Sequence, residues 1–169
     1  MPNTFTLIAS STVGSGGAAS IDFTSIPATF TDLCIKTSLR SARASTWDNL
    51  QVKINNSTAN MTHRYVRGDG SSAASGTLSV FYVGDIPAAS ATSSTFANQE
   101  IYFPNYAGST NKSASSDSAA ETNATTAYLY LNAHLWSQTT AINQITLFTG
   151  NLENFVQYST AYLYGVKNA

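Results

Sequence analysis

Charge is what this 169-residue chain has least of: 10 % of its residues are Asp, Glu, Lys or Arg, eight basic against nine acidic. So neutral a chain has no electrostatic means of gripping a phosphate backbone or an anionic membrane surface. Cysteine is nearly absent too. The lone Cys34 excludes an internal disulfide framework and a cysteine-based zinc site, and it fits assembly in a reducing compartment. Residues 1–13 carry neither the basic start nor the continuous apolar run of a secretion signal, and no apolar stretch is long enough to span a bilayer. Lys and Glu, which dominate most helical surfaces, are scarce, and no segment shows a helical apolar stripe. The N-x-[ST] triplets at Asn55, Asn56, Asn60, Asn111 and Asn123 then reflect richness in Asn, Ser and Thr rather than glycosylation.

What is there is alternation. The longest clean run is Thr126 to Trp136, with Ala127, Leu129, Leu131, Ala133 and Leu135 on one parity and Tyr128, Tyr130, Asn132, His134 and Trp136 on the other. A strand sends successive side chains to opposite faces, so the aliphatic set is expected to face the core and the rings to face outward. Rings on an outer face are expected to meet a neighbouring subunit or a ligand, unless loops of the same chain cover them. Thr160 to Val166 repeats the design, Tyr162 and Tyr164 opposing Ala161 and Leu163. If the two strands pair, their tyrosines form one band. Tyr128, Tyr130, His134, Trp136, Tyr162 and Tyr164 are therefore the expected interface.

Elsewhere, Thr4–Ile8 and Ser20–Thr24 flank a Gly-rich turn and predict a hairpin. Thr31–Arg40 places Leu33, Ile35 and Leu39 inward and Asp32, Cys34, Lys36, Ser38 and Arg40 on a wetter face. Leu50, Val52 and Ile54, then Met61–Arg67, continue the pattern, and Gly68–Gly76 predicts a long flexible loop before a strand through Leu78, Val80 and Tyr82. Ile101 and Phe103 make a strand that Pro104 stops, Lys112–Asn123 is small, polar and compatible with a strand, and Ile142–Phe148 is a further one. Roughly nine to eleven short strands separated by Gly, Ser, Asn and Pro turns predict one all-β domain over residues 1–169, an antiparallel β-sandwich of jelly-roll or Greek-key type.

Catalysis needs convergent titratable groups, and the sequence supplies two histidines, His63 and His134, and scattered carboxylates. Asp117 and Glu121 are the best-spaced acidic pair, but they lie among Ser and Ala with no adjacent ring to stack a sugar. Gly-x-Ser-x-Gly and the phosphate-loop pattern are absent. The residues therefore predict no enzyme, no cofactor and no metal. Arg43 and Trp47, in a polar loop, and Tyr106 are the residues expected to touch a ligand or partner.

Three segments carry a resemblance: IDFTSIPATFTDLCIKTSLRSAR, IYFPNYAGSTNKSASSDSAAETNAT and FVQYSTAYLYGVKNA, with Pro104-Asn105-Tyr106-Ala107-Gly108 and Tyr162-Leu163-Tyr164-Gly165 the most distinctive stretches. Together they resemble small virion proteins of tailed bacteriophages, especially those of aquatic and cyanobacterial hosts, over most of the chain. The resemblance implies a capsid decoration (cement) protein on the particle exterior, assembled in the host cytoplasm as a homotrimer and bound to the major capsid protein. Its alternative is the terminal module of a tail fibre that recognises host glycans through Trp47, Trp136 or exposed tyrosines. Met1 is followed almost at once by a strand, with no long arm by which a fibre would anchor, and this favours decoration.

Overall fold

A computed structural model describes residues 4–124 and 126–167, and these residues contain strands, turns and loops but no helix. The strands run in the order β1 (Phe5–Thr12), β2 (Ser20–Phe23), β3 (Asp32–Leu39), β4 (Trp47–Ile54), β5 (Met61–Gly68), β6 (Ala73–Leu78), β7 (Tyr82–Pro87), β8 (Ala97–Phe103), β9 (Lys112–Ala120), β10 (Tyr128–Trp136), β11 (Ile145–Thr149) and β12 (Thr160–Val166). All pairings are antiparallel. They form an eight-stranded sheet, β1-β12-β3-β8-β9-β10-β5-β6, and a four-stranded sheet, β2-β11-β4-β7.

Half of the large sheet and all of the small one make a jelly roll. In β1-β12-β3-β8 facing β2-β11-β4-β7 the first strand pairs with the last, and every successive step except β4 to β7 crosses between the sheets. The remaining four strands are two hairpin insertions. The β5-β6 hairpin leaves after β4, the β9-β10 hairpin leaves after β8, and they pair with each other through β10 and β5 to extend the large sheet beyond β8. The core follows the period-2 pattern: Ile21, Phe23, Leu50, Val52, Ile54, Ile145 and Leu147 of the small sheet meet Leu33, Ile35, Leu39, Ile101, Phe103, Ala161 and Leu163 of the large one in a single cluster.

Four expectations change here. β1 and β2 do not form the predicted hairpin, because β1 pairs with β12 in the large sheet and β2 with β11 in the small one. The stretch Gly68–Gly76 is not a long loop. The Asp69 carboxylate accepts hydrogen bonds from the backbone N–H and the hydroxyl of both Ser71 and Ser72, so the chain reverses within four residues and β6 begins at Ala73. The strand expected through Leu78–Tyr82 is two elements, β6 ending at Leu78 and β7 starting at Tyr82. Arg40 is not on a wet face: its guanidinium is buried and donates to the carbonyls of Thr92, Thr95, Ala89 and Ala91, which ties down the Ser/Thr/Ala connector before β8.

Cys34 is also fully buried, although Leu33, Ile35 and Leu39 do point inward as expected. It belongs to the outer face of β3, where its cross-strand neighbours are Tyr164 of β12 and Tyr102 of β8. The two rings flank the small thiol and shut out water. Burial and the nearby Glu100 carboxylate push the Cys34 thiol up to about 11.

Candidate functional site

The hairpin extension carries the polar chemistry of the molecule. On β10 the alternation is as expected, but the faces are exchanged: Tyr130, Asn132, His134 and Trp136 are buried, whereas Leu129 is 63 %, Leu131 62 % and Leu135 37 % exposed. The reason lies in the partners. Tyr130 is opposite Ser118 of β9, Asn132 opposite Ser116 and His134 opposite Ala114, so each of these three has a small inward neighbour on β9, while Trp136 is opposite Lys112. β7, the edge of the small sheet, lies over this part of the large one, and Trp47 at the start of β4 reaches Tyr128. β7 approaches at Gly84, where a Cβ would stand 2.4 Å from the Ser118 hydroxyl and 3.3 Å from the Tyr130 ring. That shallow gap suits flat amphipathic rings with hydrogen-bond partners rather than leucines. Tyr130, His134 and Trp136 therefore do not face a neighbouring subunit, because the chain's own second sheet covers them.

Beneath β7 the two histidines, scattered in sequence, lie directly opposite each other on β5 and β10. Their rings stack at 4.8 Å, with Phe81 on the far side of His134 at 3.8 Å and Tyr65 stacked on His63 at 5.3 Å. Asn132 joins the network. Its Nδ2 donates to the Val83 carbonyl (2.8 Å), so its Oδ1 is the atom 2.9 Å from His63 Nε2, and His63 carries its proton on Nε2. Asn132 Nδ2 also donates to Ser116 Oγ (3.0 Å), leaving the Ser116 hydroxyl to donate to His134 Nε2 at 2.9 Å. His134 is then neutral and protonated on Nδ1. Both Nδ1 atoms are buried without a partner. Burial, and for His134 also the neighbouring imidazole, disfavours the cation: His63 is lowered and His134 falls to about 3. Ser116 with His134 has the form of a nucleophile and base, but Ser116 is 3 % and His134 4 % exposed and no third group orients the imidazole.

A second cluster sits nearer the rim. The Tyr82 hydroxyl donates to the Tyr130 hydroxyl (2.9 Å), which donates to Asp85 Oδ2 (2.6 Å), and Arg67 Nη1 donates to the same Tyr130 oxygen at 3.3 Å. Burial raises the Asp85 carboxyl and, together with the Asp85 charge, raises Tyr82. Tyr130 is pushed up to about 12. Tyr128 packs edge-on against Trp47 (5.0 Å) and lies under the Arg67 guanidinium (5.4 Å). Arg43, in the loop before β4, donates to the carbonyl of Trp47, which is the first residue of β4 rather than part of the loop. Tyr106 does not join them. It is fully buried and its hydroxyl donates to the Pro27 carbonyl, which makes it a core residue.

β12 lies between β1 and β3, separated from β10 by the three strands β3, β8 and β9, so the expected tyrosine band does not form. Tyr162 and Tyr164 point outward at the far end of the sheet, where Tyr164 meets Phe5 edge-on at 6.3 Å. Asp117 stands on the outer face of β9, and Glu121 follows the strand end and accepts the Asn123 N–H. No cluster of three or more metal-ligating side chains occurs among the described residues.

The outer face of β9, β10, β5 and β6 was not foreseen as a site. Its centre is a strip of Leu129, Leu131, Ala133 and Leu135, widened by Val66, which is 55 % exposed. Asp117 lies opposite Leu131 on the β9 side, and Arg64 lies opposite Ala133 on the β5 side. The β6 edge beside it, AASGTL, is open and has no Pro or charged residue. The signal was in the sequence, since either parity of β10 is apolar enough to be buried; cross-strand partners decide which. No family model, curated protein or solved structure matches the chain.

Proposed function

We propose that this chain is a non-enzymatic structural protein of a phage virion, a decoration subunit on the outside of the head that works by associating with copies of itself and with the major capsid protein. One observation carries the associative part: four aliphatic side chains, each 37–63 % exposed, stand together on an open sheet face. Contiguous apolar surface of this kind marks a protein contact far more often than a catalytic site. The polar clusters give the same direction, because the Ser116–His134 pair is sealed under β7 and the Tyr82–Tyr130–Asp85 chain is satisfied within itself. The virion setting rests on the resemblance of residues 21–43, 101–125 and 155–169. A glycan-binding tail module would need exposed rings; of those proposed for it Trp136 is buried and Trp47 is half-covered, while Tyr158 and Tyr162 are exposed.

Gold labelling of intact particles with an antibody to this chain tests the reading. Dense label over the head supports decoration; label confined to the tail, or to neither, overturns it.

A further inference from the structure

We propose that the outer face of β9-β10-β5-β6 seats a second copy of this chain, the two sheets stacked face to face about a two-fold axis that runs along β10. This deepens the associative reading above and rests on it. Leu129, Leu131 and Val66 are each more than half exposed, and hollows of about 460 and 430 Å³ lie between them and their neighbours on this same face. Knobs and hollows thus alternate on one flat surface, which is what two copies of it need in order to interdigitate. Four strands at about 4.8 Å spacing and about 27 Å length present roughly 500 Å² in plan, or about 1,000 Å² for the two copies, the lower bound for a specific interface.

The charges select a second copy rather than a different partner. A two-fold axis along β10 turns the β9 side of one copy over the β5 side of the other. Asp117, on the β9 side, then faces Arg64, on the β5 side, and the contact is made twice. Their offset along the strands is one residue pair on that face, about 7 Å, which the length of an arginine side chain and the usual ~30° crossing of packed sheets take up. Among the described residues the one ion pair is Lys36–Glu100, so Arg64 and Asp117 both have their charges available. Asp117 stands opposite Glu100 in the register, and an arginine from the second copy relieves that like-charge contact. The contact is isologous, in place of the three-fold one that the resemblance implies. The same surface patch serves both partners, whereas a cyclic trimer uses two different patches.

Sedimentation velocity on the full chain tests this. The expected result is a dimer whose dissociation constant rises about tenfold or more with Arg64→Asp or with Asp117→Arg alone, and returns near the original value in the double variant. Leu131→Glu should give a monomer, with circular dichroism confirming an unchanged fold; Leu131→Ser serves if the glutamate variant does not fold. A monomer at every concentration reached, or a dimer that the single reversals leave unchanged or the double reversal does not rescue, overturns the proposal. Binding to purified heads separates it from the decoration reading: a monomer that coats heads sinks the dimer alone, and a charge-reversible dimer that never binds heads sinks decoration alone.

Discussion

His63 and His134 stay neutral because burial under β7 penalises the cation, and the groups that meet the rings there are Phe81, Tyr65, Asn132 and Ser116. In the unfolded chain both titrate near pH 6.5. A base whose protonation is suppressed by folding gives its full stabilisation above that pH and loses it as the pH falls, for His134 down to about 3. Unfolding free energy from urea titrations should therefore fall below pH 6.5, by about 1.4 kcal/mol per pH unit for His134, with His63 acting in the same direction. The buried Asp85, whose carboxyl is raised, works in the opposite sense near the carboxylate range and softens the lower end. His134→Gln should remove one histidine's share of the slope, and an unchanged slope would mean that His134 is protonated in the folded protein. Cys34 makes a second test at this scale. Its thiol should ignore a thiol reagent until denaturant is added, and Tyr164→Ala, which uncovers it, should restore reaction in the folded state. The sequence placed Cys34 on the right strand face, but a face is not an exposure, and the flanking tyrosines come from strands distant in the chain.

β10 shows how far alternation can be read. Its period was legible from Thr126–Trp136, and so were the inward residues of β3, β4 and β12. Which β10 face is buried was not, because hydropathy ranks Leu above Tyr and His while the cross-strand partners Ser116, Ser118 and Ala114 leave room only for the larger, hydrogen-bonding set. Substitution separates the two assignments. Tyr130→Ala should cost about 3–5 kcal/mol of monomer stability, the range for emptying an aromatic site, and Tyr130→Phe about 1–3 kcal/mol by stranding Asp85 and Tyr82. Leu131→Ser should change monomer stability by no more than about 0.5 kcal/mol. The reverse ranking in urea melts would restore the leucines to the core. Gly84→Ala should be among the most damaging single changes in β7, about 1–3 kcal/mol or more, since its Cβ would overlap the Ser118 side chain at 2.4–2.6 Å. Pairing Gly84→Ala with Ser118→Gly should recover part of the loss.

For the whole molecule, the all-β sandwich was legible from short alternating segments and turn residues, whereas the strand order was not. Two hairpins inserted into a jelly roll read along the chain like two more strand pairs of the jelly roll itself. The order has a consequence in time. β1 pairs only with β12, and β12 fills the place between β1 and β3, so β1 has no neighbour until β12, about 150 residues later in the chain, has been made. The large sheet cannot close until residue 166 has been made, and refolding from denaturant should be slow, in the millisecond-to-second range of proteins dominated by distant pairings. The β5-β6 hairpin and the leucines of β10, in contrast, are complete well before residue 160 leaves the ribosome. During that interval an open edge and an apolar strip coexist with an unfinished sheet, which makes nascent chains on one message the likeliest place for the wrong copies to meet.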